Sequence, residues 1–596
     1  MKRTHHPHPS HNRSIGRRMT PRLASGALLA ALMAPAAMAA TITVDPTAAD
    51  DATAGDGKCS LREAVISINT GGSMGDCTAN VTEAFGVNDI IVLPAGTYTL
   101  TRQGIDETYS DSSPGDPGSA PVVVNTPDAT RGDLDLQKSV KIQGAGTGST
   151  IIEWDVALVG DRVFHVVADT GTINVVLDGV DVRNGTPREV DIKAGPASSS
   201  GALETRYYLR RAGGGIAVGP AAAVVLVDPN VTGSANSGGR GGSKRPESGE
   251  ESGATYSLTL NGVTVYNNNA QGDGGGIYTA GAMTMTRSVV RNNAGSTNGG
   301  GIYNEGNTSL VESTIRDNKS EGGGGLFATG SNTVNIKGTT FSSNEAVGGG
   351  AISGRAGVTM KIVNSTLSGN KGTDVGGGLY TNGSAQLLFV TIANNLAGAD
   401  SSSAGAGINL FPASSASNAV TLKNVLLSGN RKGWTDGMDA AAIAALPLAN
   451  CGVTGSGLPV TSQASNLSDD ASCNTWLTAA SDKKGVDPLI GDLADNGGPT
   501  FTHALLAGSP ALAAGTADTE GPTDQRGTTR DATPDIGAFE LPTAVAPEPE
   551  VTGGGGGGCT MADGERPFDP ALPAMGLLAA IGLLLRRRQL GLNRRG

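Results

Sequence analysis

Between residues 258 and 430 the chain repeats itself about every 25 residues, and a repeat of that length leaves few folds open. One mark of each copy is a glycine cluster followed by an apolar residue: Gly274-Gly275-Gly276-Ile277, Gly299-Gly300-Gly301-Ile302, Gly323-Gly324-Gly325-Leu326, Gly348-Gly349-Gly350-Ala351 and Gly376-Gly377-Gly378-Leu379, with Gly405-Ala406-Gly407-Ile408 as a looser copy. The other is an asparagine, at Asn268, Asn293, Asn318, Asn344, Asn370, Asn395 and Asn430. Three places before each asparagine stand Val265, Val290, Ile315, Phe341, Leu367, Ile392 and Leu427; eight places before stand Leu260, Met285, Leu310, Ile336, Ile362, Leu387 and Leu422. Both columns are apolar throughout, while the positions between them carry Thr, Ser, Lys, Arg and Asn. That alternation has period two and predicts short, half-buried strands.

Strands this short find no partner inside their own repeat. If each repeat is one coil, equivalent strands stack in parallel about 4.8 Å apart and each column becomes a ladder of side chains inside a tube. The predicted fold is therefore all-β, a right-handed parallel β-helix. Composition agrees, because 90 glycines and only 4% aromatic residues suit a narrow core lined by Val, Ile, Leu and Met. A buried amide at a turn can bond to its equivalents above and below, and Asn tolerates left-handed backbone, so the asparagine column is read as structural. The glycines mark corners where a Cβ would collide or φ is positive. One further rung lies upstream: Leu177, Gly179, Val180, Val182 and Asn184 match Leu260, Gly262, Val263, Val265 and Asn267, with Gly185 in place of the ladder asparagine. Between these rungs lies an insertion, residues 186–256, whose stretch 233–253 is rich in Gly, Ser and charge and reads as a mobile loop.

The amino terminus reads as an export signal over residues 1–39: a basic stretch ending in Arg17, Arg18 and Arg22, an apolar run, and Ala37-Met38-Ala39 as a small-x-small cleavage site. Arg17-Arg18 is followed by Met-Thr-Pro rather than an apolar continuation, which favours general secretion over a twin-arginine route. The whole chain has net charge −12, and removing 1–39 and the basic tail 586–596 strips only positive charge, leaving a strongly acidic exported part. Such a surface repels nucleic acid and anionic lipid, so no nucleic-acid partner is expected. Four of five cysteines form two close pairs, Cys59 with Cys77 and Cys451 with Cys473, which in an exported chain suggests a disulfide on each flank. The competing zinc reading lacks ligands near either pair, since beyond the signal the histidines are His165 and His503. No metal or cofactor is expected.

The pairing of Gly-Gly-Gly-Ile with Phe341-x-x-Asn344 resembles the repeats of polymorphic outer-membrane proteins and related bacterial surface β-helices. Cys59-Ser60-Leu61-Arg62-Glu63-Ala64 resembles the CSLREA segment of exported β-helix proteins. Asp495-Asn496-Gly497-Gly498-Pro499-Thr500, His503-Ala504-Leu505, Gly508-Ser509-Pro510-Ala511, Asp524-Gln525-Arg526 and Asp535-Ile536-Gly537-Ala538-Phe539-Glu540 resemble the choice-of-anchor Q domain. The likeness covers most of residues 55–541 and implies surface location and a single-stranded, pectate-lyase-like solenoid, with no agreed catalytic role. Both flanks are expected to cap open solenoid ends, with Asp524, Arg526, Arg530, Asp531 and Asp535 as paired charges on a covering loop. Past a Pro/Gly linker at 542–558, residues 559–596 have the layout of a sorting tail: Cys559, then an apolar run from Ala571 to Leu585, then Arg586-Arg587-Arg588. The run is shorter than the roughly 20 residues of a full span, so a short hydrophobic helix that a sorting protease removes from the membrane is expected. Glu550-Val551-Thr552 before Cys559 resembles JDVT-CTERM-type tails, with Glu where that motif has Asp, and by analogy Cys559 is the processing or anchoring point.

The expected organisation is thus a signal at 1–39, an N-terminal capping region at 40–160, repeats at 161–430, a C-terminal cap at 431–541, a linker and a tail. Two functions compete. One is an exported, surface-anchored, non-catalytic scaffold, adhesin-like, meeting an extracellular glycan or a host or cell surface. The other is a polysaccharide lyase or glycoside hydrolase acting on acidic polysaccharide, which needs clustered carboxylates or a calcium site with a basic residue. Asp178, Asp181 and Arg183 are the best candidates for that chemistry, with Asp155, Asp161 and His165 just before them. Two Asp three apart on one strand face opposite ways unless a corner intervenes. In the regular coils Asp273, Glu312, Asp317 and Asp374 do not recur at one position, so no acidic row forms, which favours the scaffold.

Overall fold

The computed structural model describes residues 39–542 apart from 53–54, 80–84, 86–88, 105–106, 111–121, 126–127, 159, 169, 188–189, 195–205, 221, 228–252, 399–404, 412–417 and 456–458. The export signal but for residue 39, the loop 233–253 but for its last residue, the linker beyond 542 and the tail with Cys559 lie outside the described residues. The chain winds as a right-handed parallel β-helix. One coil shows the plan: Ala282–Thr286 points Met283 and Met285 inward, Arg287 turns the corner, and Val289–Arg291 points Val290 inward. Asn292 then turns a second corner, and after Gly299 Ile302–Asn304 sends Ile302 into the same core. Val265, Val290, Ile315, Phe341, Leu367, Ile392 and Leu427 are partners in successive register. So are Leu260, Met285, Leu310, Ile336, Ile362, Leu387 and Leu422.

Stacking extends well beyond the visible repeats. Leu177 pairs with Leu260 and Val182 with Val265, and upstream of them the wall runs through Val140–Gly144 and Asp89–Leu93 to Thr41–Thr43. Downstream it runs to Val460–Ala464, Leu467–Ser468 and Lys483–Lys484. A third face is a sheet of 10 parallel strands from Leu134–Leu136 to Cys451–Val453. The insertion at 186–256 is more than a loop: Val190–Ala194, Arg206–Arg211 and Ala222–Val227 form an antiparallel sheet, and Ile216–Val218 returns to the wall as a strand of the third face.

The asparagines are fully inside, and each side-chain amide donates to the next side-chain carbonyl at 2.8–3.0 Å from Asn268 through Asn430. The row goes one rung further, because Asn430 donates to Asn450 at 2.8 Å. Each carbonyl oxygen also takes the backbone N–H of the preceding rung, and Gly185, which has no side chain to offer, gives its N–H to Asn268 at 2.9 Å. The left-handed residue is not the ladder asparagine. It is the residue before it: Asn267, Asn292, Asp317, Ser343, Gly369, Asn394 and Gly429 all have positive φ. The ladder position instead needs an amide because only a group with both a donor and an acceptor can pass a bond up and down a buried column. A second, hydroxyl column at the first corner escaped the sequence reading: the backbone N–H of Ser288, Ser313 and Thr339 bonds to the hydroxyl of Ser313, Thr339 and Ser365 in turn. Among the glycines, Gly299 takes φ of 66°, while a Cβ on Gly300 would lie 2.5 Å from the Lys319 carbonyl oxygen of the next coil.

Each residue of the segment 59–64 is engaged at the N-terminal end of the helix. Cys59 is bonded to Cys77, Ser60 caps the helix Leu61–Thr70, and Glu63 returns the bond to the Ser60 N–H at 3.0 Å. Leu61 and Ala64 join the core, and Arg62 pairs with Asp50 at 2.7 Å while its guanidinium donates to the carbonyls of Ala129 and Gly132. At the other end Cys451 is bonded to Cys473, and Trp476 and Leu477 close the core. The chain then turns back along the side of the helix, where Thr500 donates to the Gly338 carbonyl, Asn364 to that of Thr523, and Ala538 to Thr391.

Asn344→Ala should remove four side-chain hydrogen bonds from the middle of the ladder, stranding donors and acceptors on Asn318 and Asn370. At about 1–3 kcal/mol for each buried group left without a partner, the expected loss is roughly 3 kcal/mol or more of unfolding free energy in a denaturant titration.

Candidate functional site

The six residues singled out for polysaccharide chemistry do not converge. Gly179, at φ of 62°, turns the chain between Asp178 and Asp181, so the two carboxylates leave from different strands. Asp178 is half exposed and pairs with Lys141 at 2.9 Å. Asp181 is buried and accepts the Gly148 N–H at 3.0 Å, holding the turn before Thr150–Trp154. Arg183 bonds to Glu153 at 2.6 Å and to the Tyr266 hydroxyl at 2.7 Å, and those bonds raise its already high pKa against the cost of burial. Asp155 caps its own turn by accepting the Ala157 N–H.

Asp161 and His165 go elsewhere, into a buried group of charges on the outer side of the third face. The strand Leu134–Leu136 sends Leu134 and Leu136 into the core, and Asp135 takes the opposite side in register with His165 of Phe164–Val166. Alternation alone would call that side wet. It is dry because the turn at Asp128–Arg131, the helix Leu61–Thr70 and the returning insertion cover it: Asp128 donates its N–H to Asp135, Asn69 donates to the Asp135 carbonyl, and His165 meets Gly219. Asp133 and Arg162 form an ion pair at 3.1 Å with no exposed surface on either side chain. His165 Nδ1 lies 3.3 Å from Asp135 Oδ1. Gly132 sits left-handed beside them, and a Cβ there would come 3.1 Å from an Asp161 carboxylate oxygen. Among the described residues Asp133, Asp135 and His165 form the group whose donor atoms, within 4.8 Å of one another, could hold a metal ion. Asp133, Asp135 and Arg162 escaped the sequence reading, although Asp133-Leu134-Asp135-Leu136 carries the alternation that places both carboxylates on one side.

Farther along the same outer row the charges give way to rings. Tyr278, Tyr303 and Phe327 stack with centroids 5.4 Å apart and planes within 8°. Burial, with Asp273 and Glu305 nearby, pushes the Tyr303 hydroxyl far above its usual pKa. Beyond the second corner lies an open groove of about 360 Å³, whose lining includes Ser296, Lys319, Ser320, Glu321, Glu345 and Thr373, with Lys319 and Glu345 paired at 2.6 Å.

The charges of the C-terminal flank are paired within the returning segment. Arg530 meets Glu540 at 2.9 Å and lies 3.9 Å over the Phe389 ring, and Arg526 meets Asp524 at 2.8 Å and lies 3.6 Å over Phe539. Asp535 accepts the N–H groups of Ala513 and Leu541, and Asp531 accepts that of Thr533. Burial raises the pKa of Asp535 and Glu540 and lowers that of Arg530. His503 links this segment to the wall through Ser368 at 2.9 Å, and its other ring nitrogen meets the Gly491 carbonyl of the same segment at 2.7 Å.

No known family matches the chain, and no curated protein matches it. Among solved structures, the pectate lyase Pel9A aligns over 76% of this chain and 89% of its own, at 15% identity and a TM-score of 0.36. The A-module of the mannuronan C-5 epimerase AlgE4 of Azotobacter vinelandii aligns over 63% and 91%, at 14% identity and a TM-score of 0.26. Identity this low does not reach the chemistry of a site.

Burial drops the His503 pKa below 6.5, so the unfolded chain takes up this proton first. Stability from His503 is therefore complete above pH 6.5 and drains as pH falls from there toward the lowered native value. Thermal midpoints measured from pH 7 to 5 should fall more steeply for the native sequence than for His503→Gln, whereas parallel curves would rule the effect out.

Proposed function

We propose that this chain is an exported, surface-anchored β-helix scaffold that contacts glycans without turning them over. What supports this most is the commitment of Asp178, Asp181 and Arg183 to separate structural partners, Lys141, Gly148 and Glu153, rather than to one shared cleft. The ten-strand third face would extend about 43 Å at roughly 4.8 Å per rung, a long stiff face of the kind solenoids offer to extended ligands. The groove beside Lys319 supplies hydroxyls and charges suited to sugar hydroxyl groups. The net charge of −12 argues against an acidic polysaccharide, which the surface would repel.

Residues 1–39 direct export in this reading, and residues 559–596, with Cys559 as the point of cleavage by a sorting protease or of lipid attachment, hold the protein at the membrane or outer surface. Protease shaving of intact cells should then release fragments of 40–541, and deleting 559–596 should send the protein into the medium.

The enzymatic alternative is tested directly. Incubation with pectate, alginate and neutral glycans, with and without calcium, should release no unsaturated or reducing ends, while a retained glycan should be bound several-fold more weakly by Lys319→Ala with an unchanged melting temperature. Release of such ends would overturn the proposal.

A further inference from the structure

Between its first and second corners each coil lays down a short strand, such as Val289–Arg291, whose middle residue enters the core while the outer two face away from it. The first of those outward positions makes one column, Thr264, Val289, Thr314, Thr340, Thr366 and Thr391, in register from coil to coil. The returning C-terminal segment is seated on one half of it. Thr340 donates its hydroxyl to the Phe501 carbonyl at 2.6 Å, Thr366 donates to the Gln525 side chain at 2.7 Å, and Thr391 accepts the Ala538 N–H at 2.9 Å. These bonds stop at the Thr340 coil, where Phe501 is 51% exposed. On the other half Thr264 and Thr314 are half-buried, and among the described residues neither hydroxyl has a partner.

Two places on, the second outward position carries Arg183, Tyr266, Arg291 and Arg316 on successive coils, about 4.8 Å apart. Arg183 is matched by Glu153 and Arg316 by Asp317. Asp181, at the head of the first column, is buried and accepts the Gly148 N–H. Arg291 has no such match: among the described residues it meets only the Asn292 side-chain carbonyl, at 3.1 Å, and the ring of Tyr266, whose centroid lies 4.2 Å from the guanidinium carbon. That ring is buried and its hydroxyl is held by Arg183 at 2.7 Å, so the guanidinium rests on a fixed platform. A planar fork held flat, half-buried and without an anion is suited to take a carboxylate through two parallel bonds.

We propose that the open half of this face, Arg291 with the Thr264 and Thr314 hydroxyls, binds a glycan through one carboxylate, that of an acid sugar set among neutral ones. This names the ligand for the glycan-contact reading and rests on it. A polymer of acid sugars is repelled by a chain of net charge −12, whereas a single carboxylate loses little to that screened field and gains the one guanidinium of the column that no carboxylate of the described chain matches. Thr264 and Thr314 meet neighbouring sugar hydroxyls as Thr340 and Thr366 meet Phe501 and Gln525, and the Phe501 ring offers an apolar surface at the edge of the seat.

The test uses the full chain and two trisaccharides that differ in one terminal sugar, glucuronic acid in one and glucose in the other. Titration calorimetry should give the acid trisaccharide a dissociation constant of about 1 mM or below, weakening several-fold between about 50 and 500 mM salt, and the neutral one a constant about tenfold higher. Arg291→Ala should weaken the acid trisaccharide about tenfold and leave the neutral one unchanged, and Arg291→Lys, which keeps the charge but not the fork, should still weaken it several-fold. Should the alanine variant fail to fold, the lysine variant decides on the same comparison. Tighter binding of a trisaccharide ending in glucose 6-sulfate or glucose 6-phosphate would overturn the assignment to a carboxylate. Equal affinity for the acid and neutral trisaccharides, or undiminished affinity in the variants, overturns the proposal and leaves glycan contact at the Lys319 groove standing, whereas no binding of any glycan removes both.

Discussion

From Asn268 to Asn450 each coil is joined to the next through a buried primary amide, and the register of that stretch follows from keeping the amide in place. Asn344 donates to Asn370 and to the Ile315 carbonyl while its own carbonyl takes two bonds from Asn318. A buried amide meets all of these demands only if the coils above and below present their own amides at one height. In-register stacking is thereby selected over a slip of one residue, which would turn Phe341 and Ile336 outward and break the column at once. The apolar ladders supply most of the driving force, but they are forgiving of which apolar residue stands next to which. The amide ladder is not.

Three left-handed corners per coil make the register affordable in conformational terms. Arg287, Asn292 and Gly299 turn one coil, and Glu312, Asp317 and Gly323 turn the next. At the third corner a Cβ on Gly299 or Gly323 would strike the backbone of its own coil at Ile302 or Leu326, whereas the second corner accepts Asn, Asp or Ser as readily as Gly369, beside which the space is open. Ordinary residues such as Arg287 and Glu312 are tolerated at the first corner, where they also pair with each other across coils at 2.7 Å. The strain of each positive φ is small against the backbone bonds it allows on both sides.

What could be read from sequence follows the same line. Coils from 258 to 430 repeat at nearly constant length, so core and turn residues align and declare themselves. The upstream coils do not: Ile42 pairs with Ile91 and that strand with Val140–Gly144, and spacings this uneven leave no period to detect. The returning C-terminal segment was hidden for a different reason. Its contacts join residues some 160 positions apart, as between Gln525 and Thr366, so its motifs suggested paired charges on a covering loop but not which part of the wall that loop meets.

The outer side of the third face marks the limit of reading strands by alternation. Asp135, His165, Tyr278, Tyr303 and Phe327 all occupy positions that period-two logic assigns to water, and neither Asp135 nor His165 reaches it. At the charged end what covers them comes from segments far away in sequence, the N-terminal helix and the insertion. A parallel β-helix thus has two interiors, one inside the coils that periodicity reveals and one between wall and covering loops that it does not. Side chains in the second interior are placed by the fold but not required by it, since the coils stack through the first. Polar chemistry can accumulate there without disturbing the register, and the buried carboxylates and imidazole near Gly132 are in that position.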